Sequence, residues 1–284
     1  MIPDPPVAKP FLRWAGSKRW LVPQLRSMLQ TGFQTYYEPF LGSASAYFST
    51  PPTTHAVLSD ANEPLIECYR QVMERPQEVA EIASQWSTDR DSYYVVRALK
   101  VAPGTVVAAA RFLYLNRLCF NGLYRENRKG EFNVPYGRPR ESNVVVDPAN
   151  LDLVSERMLA ASVELKSCDF ELVVELATSR DLVYLDPPYA DEASGIFTEY
   201  NAQSFGWSDQ IRLARAFQRA AHRGTKVVLS NADLPEIRKL YTDYDSVVLE
   251  RFSSISASGG NRTRKRELLV MANLDPMDLR AANA

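Results

Sequence analysis

The chain has 284 residues, 45% of them hydrophobic, enough for one large domain with an insertion, and it contains neither an apolar run of membrane-spanning length nor, in Met1-Ile2-Pro3-Asp4-Pro5-Pro6, the layout of a signal peptide, so a soluble cytoplasmic protein is expected. Three cysteines (Cys68, Cys119, Cys168) at spacings that suit no metal, and only two histidines (His55, His222), argue against a disulfide framework, a metal site or a histidine triad. The net charge of −1 hides a segregation: residues 9–26 and 251–266 each hold five basic and no acidic side chains, and residues 111–140 hold seven basic ones against Glu126 and Glu131, three runs with aromatics among them that suit a phosphate backbone.

In chain order, Phe11-Leu12-Arg13-Trp14-Ala15-Gly16-Ser17-Lys18 sets an aromatic and a cation around a glycine. Trp14 suits packing on a ligand and Lys18 pairing with a carboxylate, while in isolation the segment reads more readily as the capped start of a helix. Thr35 to Phe40 reads as a strand leading into Glu38-Pro39-Phe40-Leu41-Gly42, where glycine permits a close backbone approach at the turn. The next strand, Ala56 to Asp60, ends in a carboxylate, as where an acid holds ribose hydroxyls at a nucleotide site. Helices are predicted over Pro64 to Met73 and Gln77 to Trp86. Residues 66–150 break the strand and helix rhythm and close in a Gly- and Arg-rich, hairpin-like region, so they read as an inserted, mostly helical subdomain.

Leu182 to Leu185 is apolar throughout, the pattern of a strand buried on both faces of a parallel sheet, and it runs into Asp186-Pro187-Pro188-Tyr189. The carboxyl ends of such strands carry ligands. Asp186 and the carbonyl of Pro187 suit the two N–H groups of an exocyclic amine, the prolines hold φ near about −65° and so keep those acceptors still, and Tyr189 offers a face on which a base stacks. Ala190 to Gly206, with Gly195, Phe197, Tyr200 and Phe205, reads as a mobile loop closing over the site. Ser208 to Phe217 carries the capping and apolar spacing of a helix, and Lys226 to Ser230 reads as a fourth strand. These elements predict an α/β fold, a doubly wound Rossmann-like sheet with an inserted helical subdomain.

Six segments in order resemble the Dam-type family of DNA adenine methyltransferases, across nearly the whole chain. They are Arg13 to Lys18, Glu38 to Gly42, Leu58 to Asn62, Asn116 to Arg125, Gly130 to Gly137, and Asp186 to Tyr189. The resemblance implies S-adenosyl-L-methionine as cofactor, contacted by Trp14, Lys18, Glu38, Phe40, Gly42, Asp60, Asp169, Phe170 and Asp186. It implies a catalytic loop of Asp186, Pro187, Pro188 and Tyr189 on a cofactor-binding domain of residues 1–65 and 151–284, with residues 66–150 as the target-recognition subdomain. The implied partner is double-stranded DNA, met by a hairpin loop in which Phe120 wedges between bases, Asn121 and Arg125 read base edges, Arg128, Lys129 and Arg138 hold phosphates, and Leu123 and Pro135 also touch the duplex. A monomer of bacterial or phage origin, nucleoid-associated when bound, is expected. The chain departs from the family pattern at Ala44, where a second glycine is usual, and at Ser17, which replaces another.

Adenine's amino nitrogen is a weak nucleophile because its lone pair is delocalised into the ring. Two acceptors on its hydrogens draw that pair back, and direct methyl transfer then needs no covalent intermediate, consistent with the absence of any Pro-Cys dipeptide. A target inside a duplex has to be flipped out. GATC is the first guess for the site. RNA adenine, the amino group of cytosine, and a catalytically silent DNA-binding regulator stay open as alternatives; a glutamine-directed protein methyltransferase would carry Asn in place of Asp186. Ser253 to Arg262 reads either as a segment that orders on DNA or as a plain loop between two late strands.

Overall fold

A computed structural model of the protein describes residues 7–274 apart from 15, 17, 19, 22, 24, 26–27, 30–31, 51–52, 139–144, 190–204 and 253–263. Among the described residues the strands are β1 (Thr35–Glu38), β2 (His55–Asp60), β3 (Val163–Ser167), β4 (Leu182–Leu185), β5 (Lys226–Ala232), β6 (Asp245–Phe252) and β7 (Arg264–Ala272). The helices are α1 (Glu63–Glu74), α2 (Pro76–Ser84), α3 (Arg90–Ala98), α4 (Val106–Leu118), α5 (Pro148–Ala160), α6 (Phe170–Val174), α7 (Trp207–His222) and α8 (Pro235–Lys239). The seven-stranded sheet has the order β3-β2-β1-β4-β5-β7-β6. β2 pairs with β3, β1 with β4 and β4 with β5, all in parallel, while β7 is antiparallel to β5 and β6. This mostly parallel α/β sheet is the doubly wound, Rossmann-like arrangement expected from the sequence. Among the described residues no helix is long and apolar enough to cross a membrane.

The chain divides into two compact units, Met1–Val22 with Leu41–Cys168, and Pro23–Phe40 with Asp169–Ala284. In the second unit every residue of β4 is buried, and its two edges are taken by β1 (Tyr36 opposite Leu182) and β5 (Leu185 opposite Leu229). Asp181 secures the start of β4: its carboxylate accepts from the Thr35 amide at 3.1 Å and from the amide and hydroxyl of Thr178 at 2.8 and 2.7 Å. β1 stops at Glu38, two residues short of the predicted strand, because Pro39 has no N–H to continue a ladder. α7 begins one residue earlier than predicted and runs longer, with the Asp209 carboxylate accepting from the Gly206 amide at 3.0 Å and Leu213, Ala214, Phe217, Ala220 and Ala221 buried along one side. The predicted closing loop falls on residues 190–204, outside the described residues, except for Phe205 and Gly206. Residues 253–263 are likewise outside them, and the strands on either side, β6 and β7, form an antiparallel pair.

The first unit is built on α4, whose sequence Val106-Val107-Ala108-Ala109-Ala110-Arg111-Phe112-Leu113-Tyr114-Leu115 is apolar nearly all round, as a helix buried among neighbours has to be. Thr105 caps it by accepting from the Ala108 amide at 3.2 Å. Its one early cation, Arg111, is turned inward, where the guanidinium donates to the Val96 and Arg97 carbonyls at the end of α3. That residue of the basic 111–140 run is therefore spent on a helix terminus. Beyond α4, Asn127 and Gly130 close a hairpin. The Asn127 side-chain oxygen accepts from the Lys129 and Glu131 amides at 2.9 and 3.0 Å, and Gly130 takes the left-handed conformation at φ 73°.

The base of that hairpin is clipped to the end of α4: Phe120 N donates to Pro135 O at 2.9 Å and Gly137 N to Leu118 O at 2.8 Å. The approach is so close that a Cβ on Gly137 would lie 2.4 Å from the Cys119 carbonyl oxygen. Gly137→Ala is accordingly expected to force the two segments apart at a cost of about 1–3 kcal/mol, read as a fall of several degrees in the midpoint of thermal unfolding.

Candidate active site

The loop leaving β4 is held from three elements of its own unit. Ser230, two residues before the end of β5, donates to Asp186 Oδ1 at 2.9 Å, and its oxygen lies 3.1 Å from the Tyr184 hydroxyl. Gln210 on α7 donates to the Pro188 carbonyl at 3.3 Å and accepts in turn from Asn231 at 2.9 Å. Tyr189 donates its hydroxyl to Glu267 Oε2 at 2.9 Å. Glu267, Gln210, Ser230 and Asn231 are all buried. Burial, followed by the nearby Asp186 carboxylate, pushes the phenols of Tyr184 and Tyr189 well above their ordinary range, so both remain donors. The structure thus gathers Asp186 and Tyr189 with partners that fix them, and the ring of Tyr189 is tethered at its hydroxyl.

The second unit also brings together four of the aromatic and acidic residues singled out in the sequence, Phe40, Phe170, Phe205 and Asp169. Phe40 stacks on Phe170 with ring centroids 5.3 Å apart, and Phe205 meets both rings. Asp169 caps α6 by accepting from the Glu171 amide at 2.9 Å and pairs with Arg212 at 2.8 Å, while that guanidinium sits 5.1 Å over the Phe170 ring. Glu38 is buried and accepts from the Tyr36 hydroxyl at 2.8 Å.

In the first unit Asp60 joins the turn expected of it. One carboxylate oxygen accepts from the Gly42 amide and the other from the Asn62 amide, each at 3.0 Å, and burial raises its pKa while these backbone bonds oppose the rise. The Ala61 amide also bonds to this carboxylate, and of the roughly four lone-pair sites on its two oxygens about one is left for a ligand. Gly42, at φ 47°, gives its carbonyl to the Tyr69 hydroxyl at 3.1 Å, and a Cβ there would sit 2.7 Å from Trp14 Cδ1. The missing side chain at Gly42 therefore makes room for Trp14. That indole stacks on Tyr124 and Phe112 with centroids 6.0 and 6.4 Å apart. Lys18 is buried and donates to the Gly16 carbonyl at 2.9 Å.

All eight residues expected to face a duplex, Phe120, Asn121, Leu123, Arg125, Arg128, Lys129, Pro135 and Arg138, are exposed. Phe120 is 50% exposed and so stands outside the core. Asn121 and Gly122 both take left-handed conformations, φ 55° and 64°, and Gly122 is pressed so tightly against Arg13 that a Cβ would lie 2.5 Å from the arginine's. Asn116 grips the backbone of Arg13 on both sides, accepting from its amide at 2.8 Å and donating to its carbonyl at 2.6 Å. Asn133 accepts from Arg125 Nε at 2.7 Å across the hairpin. Cys119 donates to the Asn116 and Leu123 carbonyls, and burial pushes its thiol up to about 11, so it is a neutral structural donor.

Residues 14–255 match the profile of the family described as D12 class N6 adenine-specific DNA methyltransferase. The chain belongs to that family. It is 34% identical over 272 residues to the type II methyltransferase M1.LlaDCHI of Lactococcus lactis subsp. cremoris, covering 92% of this chain and 94% of the relative. It is 35% identical over 292 residues to the type II methyltransferase M.MjaIII of Methanocaldococcus jannaschii, covering 93% and 98%. To the DNA adenine methylase of Escherichia coli K12 it is 33% identical over 267 residues, covering 92% and 94%.

For this D12-class methyltransferase, motif reading located the loop but not what holds it. Ser230 and Asn231 stand near the carboxyl end of a buried strand, the same signal that singled out Asp60 and Asp186, yet neither is charged. Glu267 had a different signal, a lone acid between the basic run 264–266 and the apolar run 268–271. The departure at Ala44 has a backbone meaning. Ala44 sits at φ 55° and is fully buried, in the left-handed region that costs a residue with a Cβ about 1–2 kcal/mol. Ala44→Gly is therefore expected to raise stability by up to about 1 kcal/mol once the greater freedom of unfolded glycine is subtracted, whereas in a right-handed helix the same change lowers it; chemical denaturation reads the difference.

Proposed function

We propose that this enzyme transfers a methyl group from S-adenosyl-L-methionine to the exocyclic amino nitrogen of adenine within a short site in double-stranded DNA, with GATC the first site to test. The observation that carries the reading is the family match over residues 14–255, which takes in the loop Asp186 to Tyr189 together with the Gly42 turn and the segment 116–137. On this reading residues 1–65 and 151–284 bind the cofactor and residues 66–150 recognise the target, and the enzyme works as a monomer in the cytoplasm, at the nucleoid when bound.

The cofactor supplies an electrophilic methyl on a sulfonium sulfur. The residues proposed to hold it are Trp14, Lys18, Glu38, Phe40, Gly42, Asp60, Asp169, Phe170 and Asp186. They offer what a nucleoside needs: the flat faces of Phe40 and Phe170, and the Asp60 carboxylate with a lone pair to spare for a ribose hydroxyl. Asp186 and the Pro187 carbonyl accept the two amino hydrogens of the target and restore its lone pair to nitrogen, while Pro187 and Pro188 keep the loop stiff. Because these groups act on a base, the target leaves the duplex at a cost of a few kcal/mol and stacks on Tyr189.

Exposure and charge support the DNA contacts. Phe120 is the wedge, Asn121 and Arg125 read base edges with Leu123 and Pro135 beside them, and Arg128, Lys129 and Arg138 neutralise phosphates.

With labelled cofactor and duplex DNA, Asp186→Ala is expected to lower transfer by at least about a hundredfold with an unchanged unfolding midpoint, and mapping of the methylated bases names the site. Full turnover by that variant refutes the assignment, and label on cytosine refutes the substrate. Arg125→Ala is expected to lose about 1–3 kcal/mol at its own base pair and relax specificity there, whereas Lys129→Ala weakens every sequence alike and flattens the salt dependence. Equal, uniform losses in binding titrations would dissolve the division between readers and phosphate binders.

A further inference from the structure

The loop's acceptor depends on a residue that no motif of the sequence marks. The register that sets Leu185 opposite Leu229 brings the residues that follow, Asp186 and Ser230, side by side toward the carboxyl ends of β4 and β5. Alternation along the strand puts Tyr184 on the same side as Asp186. Ser230 has one proton and directs it to Asp186 Oδ1 at 2.9 Å, so the Tyr184 hydroxyl, 3.1 Å away, is the donor to Ser230. Ser230 is 0% and Tyr184 1% exposed, so water does not compete for these bonds. A hydroxyl chain that ends on a carboxylate polarises in one direction and strengthens its last bond.

We propose that Ser230 is a positioning residue for methyl transfer, fixing the rotation of the Asp186 carboxylate so that its acceptor is aligned before the target amine arrives. The inference rests on the reading of Asp186 as that acceptor. A carboxylate on a single Cβ turns freely about its last torsion unless one oxygen is held. Asp186 is partly open to solvent, so the buried Ser230 hydroxyl supplies from within the sheet a restraint that bulk water does not. Transfer requires the nitrogen lone pair to point along the line of the breaking bond, and small misplacements at that stage fall on kcat. Tyr184 acts one step behind, by committing the Ser230 proton to Asp186.

The test compares Ser230→Ala, Ser230→Cys and Ser230→Thr in the full-length enzyme with duplex DNA and labelled S-adenosyl-L-methionine, measuring kcat, both KM values and the unfolding midpoint. Cysteine fills the serine's volume but donates weakly, so it meets a packing role and not a positioning one; threonine keeps the hydroxyl. Ser230→Ala and Ser230→Cys are expected to lose about 10- to 100-fold in kcat, the size of a hydrogen bond to a charged group expressed as a rate, with both KM values within about threefold of wild type. Ser230→Thr is expected to stay within about fivefold of wild-type kcat, and Tyr184→Phe to lose less than Ser230→Ala. Wild-type kcat in Ser230→Cys overturns the proposal, as does a loss confined to KM. Should Ser230→Ala fail to fold, the Cys and Thr variants decide between them. The wild-type enzyme assayed alongside separates this inference from the reading beneath it: if it methylates cytosine or RNA instead of duplex adenine, the substrate reading fails, and the same ratios on whichever amino group is methylated still decide the role of Ser230.

Discussion

The second unit depends on one constraint, that β4 is apolar and buried over its whole length. Such a strand gives water no backbone group to bind, so both edges must be paired and both ends must be satisfied by the protein. β1 and β5 take the edges. At the start, Asp181 gathers the amides of Thr35 and Thr178 and ties the strand to its neighbour. At the finish the chain turns through two prolines, and Asp186, Pro188 and Tyr189 are met by Ser230, Gln210 and Glu267. The same requirement that stabilises the sheet therefore leaves a carboxylate and an aromatic ring in fixed positions at its carboxyl end. A loop on a flexible connection would keep its ordering cost outside folding; here that ordering is part of folding.

The first unit shows a comparable economy in its glycines. Gly42 lets Trp14 in, Gly122 lets Arg13 in, and Gly137 lets two backbone segments meet. Each contact joins segments far apart in sequence: the N-terminal Arg13-Trp14 pair is packed against Gly42 and also against Asn116, Gly122 and Tyr124. Two segments that read as separate motifs, one for a cofactor and one for DNA, are in this unit a single packed structure. A substitution in either is felt by the other through volume alone, because close-packed interiors do not absorb an added methyl.

Much of this was legible in the chain. The run Leu182 to Leu185 announced a doubly buried strand because burial on both faces removes the usual alternation, whereas the strand read through Pro39 to Phe40 ends at Glu38, since proline has no N–H for the ladder. β3 was missed although Val163-Glu164-Leu165-Lys166-Ser167 alternates apolar and polar residues, because so short a run is given its place as a strand by pairing with β2. Asp181, at the other end of β4, carried no motif, and only the structure shows its two oxygens filled by backbone and threonine donors.

Sequence alone determined the sheet's apolar strands, the turn residues, the order of motifs and, through that order, the family, because these depend on local pattern and on residue identity. The tertiary structure decided which residues support them. Ser230, Gln210 and Glu267 lie 22 to 78 positions from their partners in the loop, and nothing in a strand's own pattern says which neighbouring side chain will stand beside its last residue. Strand register decides that, and register is a property of the assembled sheet.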